Sequence, residues 1–350
     1  GTMNVPRERA MQDDYFALMQ RLAPDLAREI ERRALVLERI GALQPVGRRQ
    51  LAARLNLPER EVRTVASLLK EHGLLSLDAA GMSLTPEAND VLPAARLFSR
   101  ELRGLTGLET QLGKRFPVDK VCVVSGDADL DDQVLHEVGR NAAIRLRGLL
   151  QSGFTLAVTG GGTVHEVALA MPQGTAMNVM VVPARGGIGR ALETQANTVA
   201  CEIARRLGGH HRLMHLPDDV DEQALNEMRR MTEIDETLAL LERADVVLHG
   251  IGRADVMAKR RQLPPQIKEQ VMSKGAVAEA YGCYFDMQGQ LVYSASTVAH
   301  NLGAQKPQCA FVAVAAGARK ADAIIAVMRA RRHALLVTDE GAAKAVLDRC

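Results

Sequence analysis

The sequence predicts an α/β protein: a doubly wound, mostly parallel sheet from residue 117 to the end, preceded by a small helical module. Three observations carry this. Seven near-continuous apolar runs follow residue 117, namely 120–124, 154–159, 177–183, 211–216, 244–250, 309–315 and 334–339, and amphipathic helical stretches separate them. Unbroken apolar runs are expected of parallel strands covered on both faces. Before residue 117 the texture differs, with Leu, Arg and Glu at helical spacing and few β-branched runs. No repeat of 20–50 residues intervenes, so the chain reads as consecutive domains and not as an array.

Composition bounds the function classes. A chain of 350 residues suits two or three domains, and its 47% hydrophobic and 25% charged residues are those of a globular protein. Aromatics make up 3%, with no Trp, which disfavours single-strand nucleic-acid platforms built on stacked rings. Five scattered cysteines without a CxxC pair fit a reducing compartment. With no basic-then-apolar leader and no apolar run of membrane-spanning length, the expectation is a cytoplasmic protein that does not engage a membrane.

Taken in order, residues 11–29 read as an N-terminal helical extension carrying Tyr15, Phe16, Met19 and Leu22. Residues 30–85 form a compact pattern. Ile30, Ala34, Leu37 and Ile40 mark one helix face. A short helix follows at 48–55, a tight turn at Asn56-Leu57-Pro58, and a longer helix at 59–71 that Gly73 ends. Residues 74–85, with the turn Asp78-Ala79-Ala80-Gly81, read as a hairpin. Helix, helix, turn, helix and hairpin together are a winged helix-turn-helix pattern. The helix 59–71 separates into two faces. Val62, Val65, Ala66 and Leu69 should bury, while Arg60, Arg63, Thr64, Ser67 and Lys70 should stay outside, where an α-helix can enter the DNA major groove. Arg48, opening the preceding helix, joins this candidate DNA-binding set. Net charge is only +2, from 44 Lys and Arg against 42 Asp and Glu, yet residues 45–75 alone hold six basic and three acidic residues. The excess is local, as a DNA-reading module requires.

Residues 86–116 read as a linker helix. Val91, Ala95, Phe98, Leu102, Leu105 and Leu112 fall near a 3.5-residue repeat, with Pro93 interrupting its first turn and Glu109 in the seam. Such a seam serves either dimerisation or docking on the domain that follows.

In a doubly wound sheet, ligands bind beyond the carboxyl ends of the strands. The run 154–159 leads into Gly160, Gly161, Gly162 and Thr163 and then a helix, an arrangement that presents backbone amides to a phosphate. The Walker A lysine is absent, so this is no P-loop. After 177–183 come Arg185, Gly186 and Gly187; after 244–250, Ile251 and Gly252; after 309–315, Gly317 and Lys320. Cations offered from separate loops point to a ligand with two anionic groups. Glu279 is a natural partner for sugar hydroxyls, and Gln195 and Asn197 offer uncharged hydrogen bonds.

The segments VTGGGTVHEV, VPARGGIG with ETQANTVA, HGIGRADVM, AVAEAYGCYFD and AAGARKADAI occur in this order. Together they resemble the effector domain of the SorC family of bacterial transcriptional regulators, over residues 30–345. The resemblance implies a repressor of carbohydrate genes with a winged-helix DNA-binding domain and an effector domain at 117–350. That domain would be similar to the glucosamine-6-phosphate deaminase and ribose-5-phosphate isomerase folds. It implies a phosphorylated-sugar effector, fructose 1,6-bisphosphate for the nearest relatives and glycolytic genes. It also implies a homo-oligomer, dimer or tetramer, on double-stranded operator DNA. One phosphate would sit on Gly160–Thr163, with Arg185 and Lys320 serving phosphate groups and Gln195 and Glu279 facing the sugar. Where the family often carries a hydroxyl residue, this sequence has Gly162, and Arg253 is the residue that could compensate.

The rival class is a sugar-phosphate isomerase or deaminase on the same sheet. His249, Asp255, Glu279 and His300 are the candidate acids and bases, but no acid–base constellation forms among near neighbours, and the DGADE-like segment of ribose-5-phosphate isomerases is missing. A regulator is therefore expected rather than an enzyme. His210, His211 and His215 would split across the two faces of a strand, so neither a metal nor a cofactor is expected.

Overall fold

The computed structural model describes residues 18, 21–55, 57–174, 176–185, 194–217, 220–294 and 302–350. Tyr15, Phe16, Met19 and Asn56 lie outside the described residues, as do Gly186, Gly187 and His300. The chain divides into two compact units, Gly1–Thr106 and Gly107–Cys350.

In the first unit, helix α1 (Pro24–Leu43) starts with Pro at its first position and Asp25 in its first turn, both favourable at a helix N-terminus. It buries Ala34, Val36, Leu37 and Ile40, while Ile30 is half-buried. Helices α2 (Arg48–Leu55) and α3 (Glu59–Glu71) follow, the latter entered from Pro58. Gly73, at φ +73°, then turns the chain into strands β1 (Leu75–Asp78) and β2 (Gly81–Leu84). The Asp78 carboxylate closes the hairpin by accepting from the Ala80 and Gly81 amides at 2.8 and 3.1 Å. Val46 pairs with Met82, so the hairpin gains a third backbone partner. Gly81 is required there: a Cβ would lie 2.8 Å from the Val46 carbonyl. Leu51, Val62, Val65, Leu69 and Met82 share the core, each large side chain contributing about 1.5–3 kcal/mol by burial.

The single linker helix expected at 86–116 is two helices, α4 (Pro86–Leu102) and α5 (Leu105–Arg115). The break is at Gly104, in the left-handed region at φ +67°. Pro93 lies well inside α4 without ending it, the first turn being secured by the Thr85 hydroxyl, which accepts from Ala88 N at 3.2 Å. Of the proposed seam, Leu102, Leu105 and Leu112 are buried, whereas Val91 is exposed. Glu109 faces the sheet of its own unit: its carboxylate accepts from Val123 N at 2.8 Å, satisfying an amide on an edge strand.

The second unit holds a seven-stranded parallel sheet of β3 (Val118–Val124), β4 (Thr155–Val158), β5 (Met180–Pro183), β6 (His210–His211), β7 (Val246–Gly250), β12 (Ala310–Val314) and β13 (His333–Asp339). Their spatial order is β3-β13-β12-β7-β4-β5-β6, and helices α6 (Asp132–Leu149), α7 (Gly162–Ala170), α8 (Ala196–Leu207), α9 (Glu222–Met228), α10 (Thr232–Glu242) and α11 (Ala254–Arg260) lie between them in the chain. The fourth of the seven apolar runs is cut shortest: the spacing predicts a strand at 211–216, and the strand ends at His211. Beyond it, the Asn197 amide bonds both Met214 backbone groups, donating to its carbonyl at 3.1 Å and accepting from its N–H at 2.9 Å. Asn197 is thereby a pin for this segment and not a free donor to a ligand.

A second sheet, antiparallel, was not read from the sequence. It joins β8 (Gly252–Arg253), β9 (Ala276–Ala280), β10 (Cys283–Asp286) and β11 (Leu291–Ser294) in the order β11-β10-β9-β8. The β9–β10 turn uses Tyr281 and Gly282 at φ 40° and 91°, the two positive φ values of a tight two-residue hairpin.

Candidate functional site

Strand order locates the crevice. From β4 the chain winds outward through β5 and β6, then returns to place β7 on the other side of β4 and winds outward through β12 and β13. The switch point thus lies between β4 and β7, where a doubly wound sheet binds its ligand. A cavity opens there, lined by Gly160, Gly161, Gly162 and Thr163 after β4, and by Ile251 and Gly252 after β7. Arg185, Glu279 and Lys320 also line it. Of the expected effector set, only Gln195 is absent from the lining. It caps helix α8 (Ala196–Leu207) at its N-terminal side and stands behind Gly160.

The glycine loop is built for close approach. Helix α7 (Gly162–Ala170) begins at its end, and the amides of Gly162, Thr163 and Val164 have no acceptor among the described residues. Such amides, with the helix dipole behind them, suit an anion. A Cβ on Gly160 would lie 2.4 Å from the Thr194 carbonyl, and Gly161 has φ +116° with its N–H bonded to Thr194 O at 2.8 Å. Both positions need glycine. Gly162 does not, since a Cβ there would meet nothing within 4 Å.

At the cavity wall Glu279 is fully enclosed. Its Oε1 accepts from Arg185 Nη1 at 2.7 Å and from Gly282 N at 2.7 Å, and lies 3.2 Å from Arg261 Nη2. Burial disfavours the charge, but the Arg261 and Arg185 guanidinium groups and the Gly282 amide outweigh it and hold the carboxyl below the usual glutamate range. Arg185 is therefore engaged with a buried carboxylate as well as lining the cavity.

Lys320 is half-buried and has no ion-pair partner among the described residues. Burial lowers its pKa from the ordinary lysine value, only partly offset by the charges of Asp129 and Asp339. The backbone around it is already committed. Gly317 N donates to Asp339 Oδ2 at 2.9 Å, Ala318 N approaches Asp127 Oδ1 at 3.4 Å, and Arg319 N donates to Asp129 Oδ2 at 2.8 Å. The loop after β12 thus gives its amides to carboxylates, and only the Lys320 side chain serves the cavity.

Sequence reasoning missed Arg260, Arg261, Met257 and Tyr281 as lining residues. The basic run Lys259-Arg260-Arg261 was the available signal. Arg253 lines the cavity as well, but its guanidinium pairs with Asp255 at 2.6 Å. Of the candidate acids and bases, Asp255 is held in that pair, Glu279 is clamped, and His249 is buried below the lining with its pKa lowered to about 4 by desolvation. No group of three metal-ligating side chains is found among the described residues. Nor is any helix among them long and apolar enough to cross a membrane.

In the first unit, α3 keeps Val62, Val65, Ala66 and Leu69 inside and leaves Arg60, Arg63, Thr64, Ser67 and Lys70 exposed, as does α2 for Arg48. The Thr64 hydroxyl donates to the Arg60 carbonyl at 3.0 Å, which leaves its oxygen free to accept. Ser67 and the basic side chains share one solvent face.

Residues 100–348 match the family described as "Putative sugar-binding domain", and residues 30–97 match "CggR N-terminal DNA binding domain". The chain is 39% identical to the central glycolytic genes regulator of Priestia megaterium, over 93% of this chain and 96% of that protein. It is 35% identical to the protein of the same name from Bacillus subtilis, over 94% and 97%. Among solved structures it is similar to a SorC family transcriptional regulator from Enterococcus faecalis, with TM-score 0.64 and 35% identity over 69% of this chain and 99% of that one. The full-length sorbitol operon regulator SorC from Klebsiella pneumoniae shares the fold, with TM-score 0.62 at 19% identity over 92% and 99%.

Proposed function

We propose that this chain, which belongs to the SorC family of transcriptional regulators, is a repressor of carbohydrate genes that a phosphorylated sugar releases from its operator. As a family member with a DNA-binding domain and a sugar-binding domain it is a regulator and not an enzyme. The finer reading assigns fructose 1,6-bisphosphate as effector and glycolytic genes as targets. It rests on the names of the relatives in Priestia megaterium and Bacillus subtilis together with the chemistry of the cavity.

The observation that carries the effector reading is the composition of the cavity wall. Unpartnered helix-terminal amides at Gly162–Val164 and the cations Lys320 and Arg260 provide two separate anion sites, and the ionised Glu279 provides an acceptor for hydroxyl groups. A hydroxylated body bearing two phosphates fits that set better than a neutral sugar or an inorganic anion.

On the DNA side, the reading is a winged helix-turn-helix in which α3 enters the major groove. Arg63, Thr64 and Ser67 would face base edges, with Arg48, Arg60 and Lys70 on phosphates. A two-fold operator requires at least a dimer, and we assign a homo-oligomer, dimer or tetramer, acting in the cytoplasm. Effector and operator act on one equilibrium: a ligand that prefers the conformation with weaker DNA affinity shifts the population towards it.

A thermal-shift panel of sugar monophosphates, sugar bisphosphates and inorganic phosphate tests the effector. Bisphosphates should raise the melting temperature most, and fructose 1,6-bisphosphate should release operator DNA in a gel-shift assay. Turnover of any of these sugars would favour the isomerase alternative instead.

A further inference from the structure

We propose that Arg261 is a positioning residue for effector recognition: it holds Glu279 ionised and in place when a ligand phosphate draws Arg185 away. The proposal rests on the effector reading above and goes beyond it in assigning a task to a side chain that need not touch the ligand.

Glu279 Oε1 gathers every bond that the carboxylate makes. Arg185 reaches it from just past β5, Arg261 from the end of helix α11 (Ala254–Arg260), and Gly282 N from the hairpin turn. Oε2 makes no hydrogen bond among the described residues, and Glu279 lines the cavity. One oxygen is thus tethered while the other is left to accept from a bound hydroxyl.

The two arginines are not equivalent. Arg185 lines the cavity at the switch point beside the glycine loop, where a phosphate is a strong competitor for a guanidinium. Arg261 closes α11, its N–H bonded to Met257 O at 2.9 Å, and its guanidinium is the other charge on Glu279. Were Arg185 the sole partner, a ligand that took it would leave a buried carboxylate with a single backbone amide. Such a group takes up a proton, and a protonated carboxyl presents a donor where an acceptor is needed. Arg261 removes that conflict, so one site can serve phosphate and hydroxyl at once.

The groups around Glu279 support this division. From β9–β10 it faces the Tyr281 hydroxyl, the Cys283 thiol and the Tyr284 hydroxyl, all of which burial keeps neutral. From the loops it faces Arg185 and Arg261, and the cavity adds Arg260 and Lys320. Charge compensation at Glu279 comes from the arginines, not from the neighbouring strand.

The test compares the unaltered protein with R261M and R261K, using fructose 1,6-bisphosphate as probe between pH 5.5 and 8. Glutamate labelled with ¹³C at Cδ, assigned with E279Q, reports the Glu279 charge directly. In R261M the Glu279 carboxyl should titrate within this pH range, where in the unaltered protein it stays ionised throughout. Affinity should fall tenfold or more near pH 6, with the deficit shrinking as pH rises, and R261K should restore most of both. R261Q replaces R261M if the latter fails to fold. Should R261M follow the unaltered protein at every pH, or lose affinity by a constant factor with Glu279 titrating unchanged, Arg261 has no positioning role. Should the unaltered protein bind no fructose 1,6-bisphosphate while Glu279 responds to R261M, the effector reading falls and the ligand part of this inference falls with it.

Discussion

His249 and His333 meet through their Nε2 atoms at 3.1 Å in a fully buried contact, and each Nδ1 faces a backbone carbonyl, that of Gly250 at 3.1 Å and that of Arg331 at 3.0 Å. A third proton would complete all three contacts, but desolvation, mutual repulsion and the nearby Arg331 guanidinium oppose it. Both pKa values are lowered, that of His249 to about 4.

The pair makes the second unit sensitive to acid. In the unfolded chain both rings protonate near pH 6.5, while in the folded chain they stay neutral, so the unfolded state binds more protons as pH falls. The stability they confer is present above about pH 6.5 and is lost as pH drops towards 4. For His249 alone the loss is on the order of 3 kcal/mol. Denaturant midpoints measured from pH 7.5 to 4.5 should fall more steeply for the unaltered protein than for His249→Gln. Equal slopes would show that the pair does not titrate on unfolding.

Gly162→Ser should strengthen effector binding. The position has open space for a Cβ, and a hydroxyl at the first turn of α7 adds a donor beside the free amides. The dissociation constant for fructose 1,6-bisphosphate should improve several-fold, with unliganded stability changed by no more than about 0.5 kcal/mol. Gly160→Ala is the opposing control: its methyl would strike the Thr194 carbonyl, and binding should be lost. Calorimetric titration of both variants decides the matter, and weaker binding by Gly162→Ser would place the phosphate elsewhere.

Lys320→Met should cut effector affinity at least tenfold and leave the fold intact. The backbone around Lys320 is held by bonds from the Gly317, Ala318 and Arg319 amides to Asp339, Asp127 and Asp129, in which the lysine side chain takes no part. The effector-induced rise in melting temperature is the readout, and an undiminished rise would remove Lys320 from the site.

Arg63→Ala should weaken operator binding by about 1–3 kcal/mol and relax preference at one base position. Lys70→Ala, on the same exposed face, should weaken binding alike for all sequences and reduce its salt dependence. Gel-shift titrations at two salt concentrations separate the two outcomes. An unaffected Arg63→Ala would assign the groove to another element.

Much of this architecture could be read in advance because it is local. Apolar runs mark the strands, and Gly73 and Pro58 mark helix ends, through properties of a few adjacent residues. The exceptions depend on distant partners. Strand 211–216 was overextended because Asn197, on another helix, ties up Met214. The antiparallel sheet escaped notice because one of its strands is only the dipeptide Gly252–Arg253. Arg261 joins the site only because β9 sets Glu279 beside it, a partner with no neighbouring signal in the sequence. The loop at Gly317 is another glycine turn after a strand, and only the fold reveals that Asp127 and Asp129, some 190 residues away, occupy its amides.

That occupied loop has a consequence for ligand length. At one end of the cavity the candidate anion site is rigid, made of peptide groups fixed by a helix and by two obligatory glycines. At the other end the aspartates have claimed the peptide groups, leaving a lysine on a flexible four-carbon stem. A receptor with one fixed jaw and one sprung jaw reads the first phosphate by shape and the second mainly by charge. On the effector reading proposed above, it should therefore tolerate bisphosphates of differing span far better than a change at the phosphate proposed for the Gly162 loop.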